Sequence, residues 1–134
     1  MNEQKVVLAG AGIMGASLAQ VYAQAGYEVA LWNGSESGLE RAKNRIALTQ
    51  ETLLKEGLLT QADSTALLGR ITYTTSKDCM KDCGLLVEAI LEDMDAKHVF
   101  WEEASRIAPE DALLATNTSG LLITEIAKPV YRPE

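Results

Sequence analysis

Residues 6–15 read VVLAGAGIMG, a β-branched and apolar run that passes directly into three glycines with the spacing GxGxxG. Such a run is typical of a strand that is covered on both faces of a parallel sheet. In the turn that follows, Gly10 would allow a tight bend, Gly12 would let the backbone approach a pyrophosphate, and Gly15 would let a helix pack closely on the strand. The N–H groups and the dipole at the start of that helix would then face the phosphates.

The residues after the glycine turn supply the context that such a motif needs. Apolar residues from Ile13 to Ala25 keep helical spacing, Gly26 can end the helix, and residues 28–32 read EVALW, which is again strand-like. Strand, glycine turn, helix and strand make one βαβ unit. This unit predicts a dinucleotide-binding site, and the alternative is a glycine-rich turn of some other α/β protein.

Composition and charge narrow the class of protein. The chain has 134 residues, of which 47% are hydrophobic and 23% are charged, as in an ordinary globular domain. We therefore expect one dinucleotide-binding domain over residues 1–134. The net charge of −7 argues against a nucleic-acid or anionic-membrane partner, because there is no surplus of basic residues to neutralise phosphates.

No targeting segment or membrane span is visible, since the apolar run at the amino end is short and is interrupted by glycine. Cys79 and Cys83 are four residues apart in a segment predicted to be helical, a spacing that can place both on one face. Reduced structural thiols in a cytoplasmic protein are the favoured interpretation, with no metal site. The single histidine, His98, lies in a charged helical stretch and is expected to be solvated.

The remaining pattern predicts an α/β protein of Rossmann type, doubly wound, with a mainly parallel sheet. A long helix over residues 36–56 and a shorter one over residues 60–69, opened by a capping box at Thr60 and Asp63, form a helical-pair insertion after the second strand. Further strands are predicted at residues 71–74, 85–89 and 112–116, with helices at residues 76–81 and up to residue 108. The loop at residues 117–120 leaves the carboxyl end of a strand, where open α/β sheets bind ligands.

Asn33 stands 18 residues after the last glycine of the motif, close to where a carboxylate usually accepts a hydrogen bond from the adenosine ribose. An amide oxygen can accept the same bond, yet it does not repel a 2′-phosphate as a carboxylate would. NADP therefore stays possible beside NAD. Asn33 can also simply open the turn Asn33-Gly34-Ser35, and both roles can hold together.

These motifs together resemble the NAD-binding domain of the 3-hydroxyacyl-CoA dehydrogenase family, which includes the bacterial 3-hydroxybutyryl-CoA dehydrogenases. The resemblance rests on VVLAGAGIMGASLAQVYAQAG at residues 6–26, LVEAILE at residues 86–92, Lys97, and ATNTSGLLITEIA at residues 115–127. It covers nearly the whole chain. The glycine motif is shared by many Rossmann proteins, whereas the second and fourth stretches are more specific to this family.

The resemblance implies NAD as the cofactor and an acyl-CoA as the substrate of the full-length protein, in fatty-acid oxidation or butanoate metabolism. Gly10, Gly12, Ile13, Met14 and Gly15 would hold the pyrophosphate, and Asn33 would lie at the adenosine ribose. Ala89, Glu92 and Lys97 would surround the nicotinamide ribose, and Ser119 would lie between the nicotinamide and the substrate oxygen. Thr49 and Lys55 would lie near coenzyme A, although Glu56 could occupy the basic position instead.

The chain departs from the family pattern in three ways. An acidic residue is common at the Asn33 position, a second serine is common at the Gly120 position, and the sequence ends before the segment that carries the family's catalytic histidine. We therefore expect no catalytic residue in this chain, with Ser119 orienting the substrate at most. The helical substrate domain, through which a homodimer would form, is expected to be missing too. The alternative is a stand-alone dinucleotide-binding module or regulatory subunit without chemistry of its own.

Overall fold

The structure is a computed structural model that describes residues 2–90 and 93–116. The described chain alternates strands with helices in the order expected of repeated βαβ units. The strands are β1 (Asn2–Ala9), β2 (Glu28–Trp32), β3 (Ile71–Thr74), β4 (Cys83–Glu88) and β5 (Leu113–Thr116). The helices are α1 (Ile13–Gln24), α2 (Glu36–Lys55), α3 (Gln61–Gly69) and α4 (Met94–Ile107), with a short 3₁₀ helix at Lys77–Met80.

The five described strands form one sheet in the order β3-β2-β1-β4-β5, and every described pairing is parallel. The chain builds outward from β1 through β2 to β3, and then returns to the other side of β1 for β4 and β5. This reversal confirms the predicted doubly wound Rossmann-type fold. It puts a switch point between β1 and β4, where sheets of this class bind ligands.

All five strands end on a single row of the sheet. Ala9 pairs with Trp32 on one side and with Glu88 on the other, and the row continues to Thr74 and Thr116 at the two edges. Because the strands are parallel, the segments that follow these residues all leave from the same edge. A register irregularity between Asn2 and Val6 lies at the opposite end of the β1 and β4 pairing.

Alternation along the strands supplies a separate core on each face of the sheet. The face covered by α1, α2 and α3 buries a first cluster that includes Val6, Leu8, Ala16, Ala19, Leu31, Leu39, Ile46 and Leu67. The face covered by α4 buries a second cluster that includes Val7, Ala9, Ala30, Leu86, Phe100, Trp101 and Ala104. Strands covered on both faces explain the nearly continuous apolar runs in the sequence.

The predicted helical pair is α2 and α3, and a buried polar chain fixes it to α1. The Gln50 side-chain amide donates to the Gln20 Oε1 at 2.8 Å, and the Ser64 hydroxyl donates to the Gln50 Oε1 at 2.8 Å. Gln50 and Ser64 are almost fully buried, so these bonds satisfy groups that would otherwise be costly to bury. The insertion is therefore a fixed part of the layer that covers the first face.

The prediction that Cys79 and Cys83 share a helix face is wrong. The helix in this segment is a single 3₁₀ turn that ends at Met80, so Cys79 lies in that turn while Cys83 already begins β4. Burial raises the pKa of the Cys79 thiol, and it raises the pKa of Cys83 to about 11. Neither cysteine forms a disulfide, and the described residues contain no group of three or more side chains that could hold a metal ion.

None of the helices in the described ranges combines the length and the apolarity that a membrane span requires.

Candidate cofactor site

The glycine turn lies at the switch point and brings the ends of β1 and β4 into contact. Gly10 has a φ of 118°, a conformation that favours glycine. A Cβ atom built on Gly10 would lie only 2.4 Å from the carbonyl oxygen of Ala89. The Gly10 N–H donates to the carbonyl of Trp32 at 2.8 Å. The first glycine is thus needed for both the bend and the close approach of the segment after β4.

Gly15 and Gly12 are glycines for different reasons. A Cβ atom on Gly15 would lie 1.7 Å from the carbonyl oxygen of Gly10, so only glycine lets α1 start this close to β1. A Cβ atom on Gly12 would meet no atom within 4 Å, and its φ of −78° is open to any residue. Neither packing nor backbone conformation therefore requires glycine at position 12. The space beside it suits a group that does not belong to the protein, such as a pyrophosphate.

The first turn of α1 has the features of an anion-binding helix N-terminus. Among the four described α-helices, α2, α3 and α4 each begin with a side chain that caps a backbone N–H, contributed by Ser35, Thr60 and Asp93. By contrast, α1 begins at Gly12 without a side-chain cap and has no acidic residue in its first turn. Its N–H groups and its positive dipole end can therefore serve an anion from outside the protein.

Ile13 and Met14 occupy the first turn of α1 with side chains that are 66% and 51% exposed. The residues of α1 that are buried are small, namely Gly15, Ala16, Ala19 and Ala23, whereas these two large apolar side chains stay exposed at the start of the helix. The resemblance assigns both residues to the pyrophosphate. The N–H groups of Gly10 and Ala11 already donate within the protein, so the geometry leaves the backbone N–H groups at Gly12, Ile13 and Met14 as those that could contact it.

Asn33 connects the glycine turn to the start of α2. Its Oδ1 accepts from the Ala11 N–H at 3.2 Å, and its Nδ2 donates to the carbonyl and the hydroxyl of Ser35, each at 3.2 Å. A Cβ atom on Gly38 would lie 2.1 Å from that Nδ2, so Gly38 makes room for the amide. Asn33 therefore has the structural turn role, and its Oδ1 keeps one lone pair for a ribose hydroxyl.

A groove of about 500 Å³ lies beside Asn33, between the end of β2 and the start of α4. One wall is Trp32, whose indole N–H donates to the carbonyl of Thr75 at 3.0 Å. The ammonium of Lys77 lies 5.3 Å from the centre of the Trp32 ring and pairs with Glu103 at 2.8 Å. The lining is completed by Gly34, Ile90, Asp93, Asp95, Ala96, Val99 and Phe100. A mostly apolar groove with a few polar groups suits a flat heterocycle.

The residues assigned to the nicotinamide side lie at the same edge of the sheet. Ala89 follows β4 directly, and its N–H donates to the carbonyl of Ala9 at 2.7 Å. Lys97 lies on α4 with its side chain fully buried, and its ammonium lies 2.5 Å from the carboxylate of Glu88. Glu92 and Ser119 are outside the described residues, as is the loop at residues 117–120.

Thr49 and Lys55 both lie on the exposed surface of α2. The Thr49 hydroxyl donates to the carbonyl of Arg45 at 3.0 Å, and the Lys55 ammonium pairs with Glu51 at 3.2 Å. Six residues along a helix correspond to about 9 Å and a rotation of about 120°. The two side chains therefore face different directions, and a single small group could not contact both.

Sequence reasoning missed the group at the centre of the buried polar cluster. Glu88 is a carboxylate at the end of an apolar strand, and Lys97, Trp101 and Thr116 all donate to it. One signal was available, because a charged residue in a strand covered on both faces needs a partner. His98 is also on α4 and is half-buried.

Comparison with known proteins gives a consistent result. A family model described as the 3-hydroxyacyl-CoA dehydrogenase NAD binding domain matches residues 5–134. A 3-hydroxybutyryl-CoA dehydrogenase of Mycobacterium tuberculosis is 34% identical over 132 residues, which are 98% of this chain and 46% of that protein. A probable 3-hydroxybutyryl-CoA dehydrogenase of Deinococcus radiodurans is 39% identical over 124 residues, which are 92% of this chain and 44% of that protein.

Solved structures agree with this match. The crystal structure of M. tuberculosis FadB2 superposes with a TM-score of 0.95 at 34% identity, covering 99% of this chain and 47% of that one. The (S)-3-hydroxybutyryl-CoA dehydrogenase from Ralstonia eutropha superposes with a TM-score of 0.94 at 31% identity, covering 98% and 47%. The chain thus spans just under half the length of these relatives.

Proposed function

Because the chain belongs to the 3-hydroxyacyl-CoA dehydrogenase family and matches its NAD-binding domain, we propose that it holds NAD(H) for an oxidoreductase that interconverts 3-hydroxyacyl-CoA and 3-oxoacyl-CoA. When bound, the nicotinamide would accept or deliver the hydride of that reaction. The residues of this chain would bind and orient the cofactor. The acyl-CoA substrate is inferred from the names of the relatives.

The observation that carries the proposal is the start of α1. It combines a glycine turn at the switch point, open space at Gly12 and a first helical turn that no side chain of the described residues caps. A pyrophosphate satisfies all three features, since it brings the negative charge and the acceptor oxygens that the helix end lacks. Gly10, Gly12, Ile13, Met14 and Gly15 would form this part of the site.

The rest of the cofactor would extend to either side of the pyrophosphate. The adenosine would lie toward β2, with its ribose at Asn33 and its adenine in the groove beside Trp32 and Phe100. The nicotinamide half would lie toward β4 and β5. The residues that the resemblance places beside it are Ala89, Glu92, Lys97 and Ser119. Support for this direction comes from the sheet order, because β2 and β4 flank β1.

We further propose that NAD is preferred over NADP, by a smaller margin than a carboxylate at position 33 would give. The Asn33 amide carries no charge to repel a 2′-phosphate. However, its donor group is already engaged by Ser35, so it cannot turn toward a phosphate without losing those bonds. The described surroundings of Asn33 therefore favour a ribose hydroxyl over a phosphate.

Contacts to coenzyme A are proposed on α2, at Thr49 and Lys55. Because these residues face different directions, they would contact different parts of the molecule. A homodimer is also proposed, as the resemblance to the family implies. The 134-residue polypeptide itself is proposed to bind cofactor without turning over substrate. Its single histidine, His98, lies on α4 and not in the segment that carries the family's catalytic histidine.

The binding proposal is tested by calorimetry with NADH on the unmodified chain and on Gly12→Asp. An aspartate side chain meets no protein atom at its Cβ position, so the substitution should leave the fold intact and repel the pyrophosphate. We expect the affinity to fall by at least tenfold, which corresponds to about 1.4 kcal/mol.

Two further variants separate charge from shape. Gly12→Asn has the same shape without the charge, and should bind NADH more tightly than Gly12→Asp. Gly69→Asp adds the same charge at the end of α3, also in open space, and should bind like the unmodified chain. Equal affinities of Gly12→Asp and the unmodified chain would contradict the phosphate site.

A further inference from the structure

Glu88 is a fully buried carboxylate, and four donors of the described residues surround it. Its Oε2 accepts from the Ile90 N–H at 2.8 Å and lies 2.5 Å from the Lys97 ammonium. Its Oε1 accepts from the Thr116 hydroxyl at 2.6 Å and from the Trp101 indole N–H at 3.4 Å. Both charged side chains of the ion pair are 0% exposed. A buried carboxylate is tolerable only with such an arrangement of donors.

The four donors come from three separate parts of the described chain. Ile90 belongs to the segment after β4, Lys97 and Trp101 lie one turn apart on α4, and Thr116 ends β5. Glu88 itself is in register with Ala9, immediately before the glycine turn, and with Thr116. One carboxylate therefore connects β4, α4 and β5 on that side of the switch point.

We propose that Glu88 is a positioning residue for the nicotinamide half of the cofactor, an inference that rests on the proposed function. Asn33 marks the adenosine side on β2, and β5 lies three strand spacings away, at about 14 Å. The other half of the dinucleotide therefore passes over the ends of β4 and β5. Glu88 is buried beneath that path, where it sets the position of Lys97, of Ile90 after β4 and of Thr116 at the end of β5.

Stability alone does not account for this cluster. A buried ion pair is often no more stabilising than well-packed apolar side chains of similar volume, because desolvation offsets the attraction. What the pair and its hydrogen bonds do provide is one fixed geometry, because donors from separate segments converge on the two oxygens of one carboxylate. Lys97 then influences the nicotinamide half from within the core, because it neutralises and holds the Glu88 carboxylate.

The test compares two ligands that share the adenosine side. NADH covers both halves of the site, whereas ADP reaches only the adenosine pocket and the glycine turn. Glu88→Gln keeps the shape of the side chain and removes its charge. In calorimetry this variant should bind NADH about tenfold more weakly. That is the smaller of the losses seen at metal sites when a residue that hydrogen-bonds to a ligand side chain is removed. The affinity for ADP should stay within twofold. A general loosening of the fold would weaken both ligands equally.

Matched variants make the result specific. Ser105→Ala removes a buried hydrogen bond of 2.6 Å to the Trp101 carbonyl on the same helix, without touching the carboxylate, and should leave both affinities unchanged. Thr116→Val removes only the contact to β5 and should weaken NADH by about threefold, so it carries the test if Glu88→Gln does not fold.

An unchanged ratio of NADH to ADP affinity in Thr116→Val, and in Glu88→Gln where that variant folds, would overturn the inference while leaving the proposed function standing. Failure of the unmodified chain to bind either ligand would overturn the proposed function, and the inference with it.

Discussion

Gly15→Ala is expected to lower the stability of the chain, although the same change usually stabilises a helix. Alanine in a helix is better than glycine by about 0.5–1 kcal/mol. At Gly15, however, the new Cβ atom would lie 1.7 Å from the Gly10 carbonyl oxygen, where such contacts are essentially never closer than 3.0 Å. The obstacle is backbone, so it cannot move aside by changing a rotamer.

The magnitude follows from what has to shift. The start of α1 must retreat by roughly 1.3 Å, which loosens Ala16 and Ala19, two fully buried residues of the first core cluster. Overpacking of a core costs about 1–3 kcal/mol, and an immovable backbone oxygen places this site at the upper end. After the helical preference of alanine is subtracted, a net loss of about 2 kcal/mol remains. For a chain of this size the melting temperature should fall by roughly 8 °C.

The assay is urea and thermal unfolding of Gly15→Ala beside Gly69→Ala. Gly69 is the last residue of α3, where a Cβ atom would meet nothing within 4 Å, so only the helical preference acts there. We expect Gly69→Ala to be neutral or slightly more stable than the unmodified chain. If Gly15→Ala proved as stable as Gly69→Ala, the close packing of α1 on the glycine turn would be refuted.

Two more results are expected. Asn33→Asp should raise the preference for NADH over NADPH by about tenfold in calorimetry, because a carboxylate repels the 2′-phosphate; losing the bonds to Ser35 should also lower stability by about 1 kcal/mol in urea. Tighter binding of NADPH than NADH by the unmodified chain would contradict the proposed preference for NAD, and an unchanged preference in Asn33→Asp would contradict the placement of the ribose at position 33. The 134-residue polypeptide should form no NADH from 3-hydroxybutyryl-CoA, with the M. tuberculosis relative as positive control, since hydride transfer needs a general base near the hydroxyl. Turnover would contradict it.

The βαβ unit could be predicted because its signals are local. The run before Gly10, the three glycines and the stop at Gly26 each restrict the backbone within a few residues, whatever the rest of the chain does. Thr60 illustrates the same point, since its hydroxyl accepts from the Asp63 N–H as the capping pattern predicts. The spacing alone also indicated that Gly15 packs closely and that Gly12 leaves room.

The partners of Glu88 could not be predicted in the same way. Lys97 and Thr116 are 9 and 28 residues away from it, and only the sheet order and the packing of α4 bring them together. The error at Cys79 and Cys83 has a related cause. A four-residue spacing is compatible with a helix. However, β4 begins at Cys83, so the helix before it is limited to a single 3₁₀ turn. Tertiary context overrides local preference in such short segments.

The even row at which the strands end connects these observations. Trp32, Ala9 and Glu88 occupy the same level of the sheet, so Asn33, Gly10 and Ala89 leave from one level as well. A shift of one residue in the pairing of β1 with β4 would turn the Glu88 side chain toward the opposite face, away from Lys97 and Trp101. It would also separate the Ala89 carbonyl from Gly10. The buried Glu88–Lys97 ion pair and the glycine turn therefore depend on the same register of β1 and β4. A sequence that kept the glycine turn but lost the ion pair, or the reverse, would lose the geometry of the switch point.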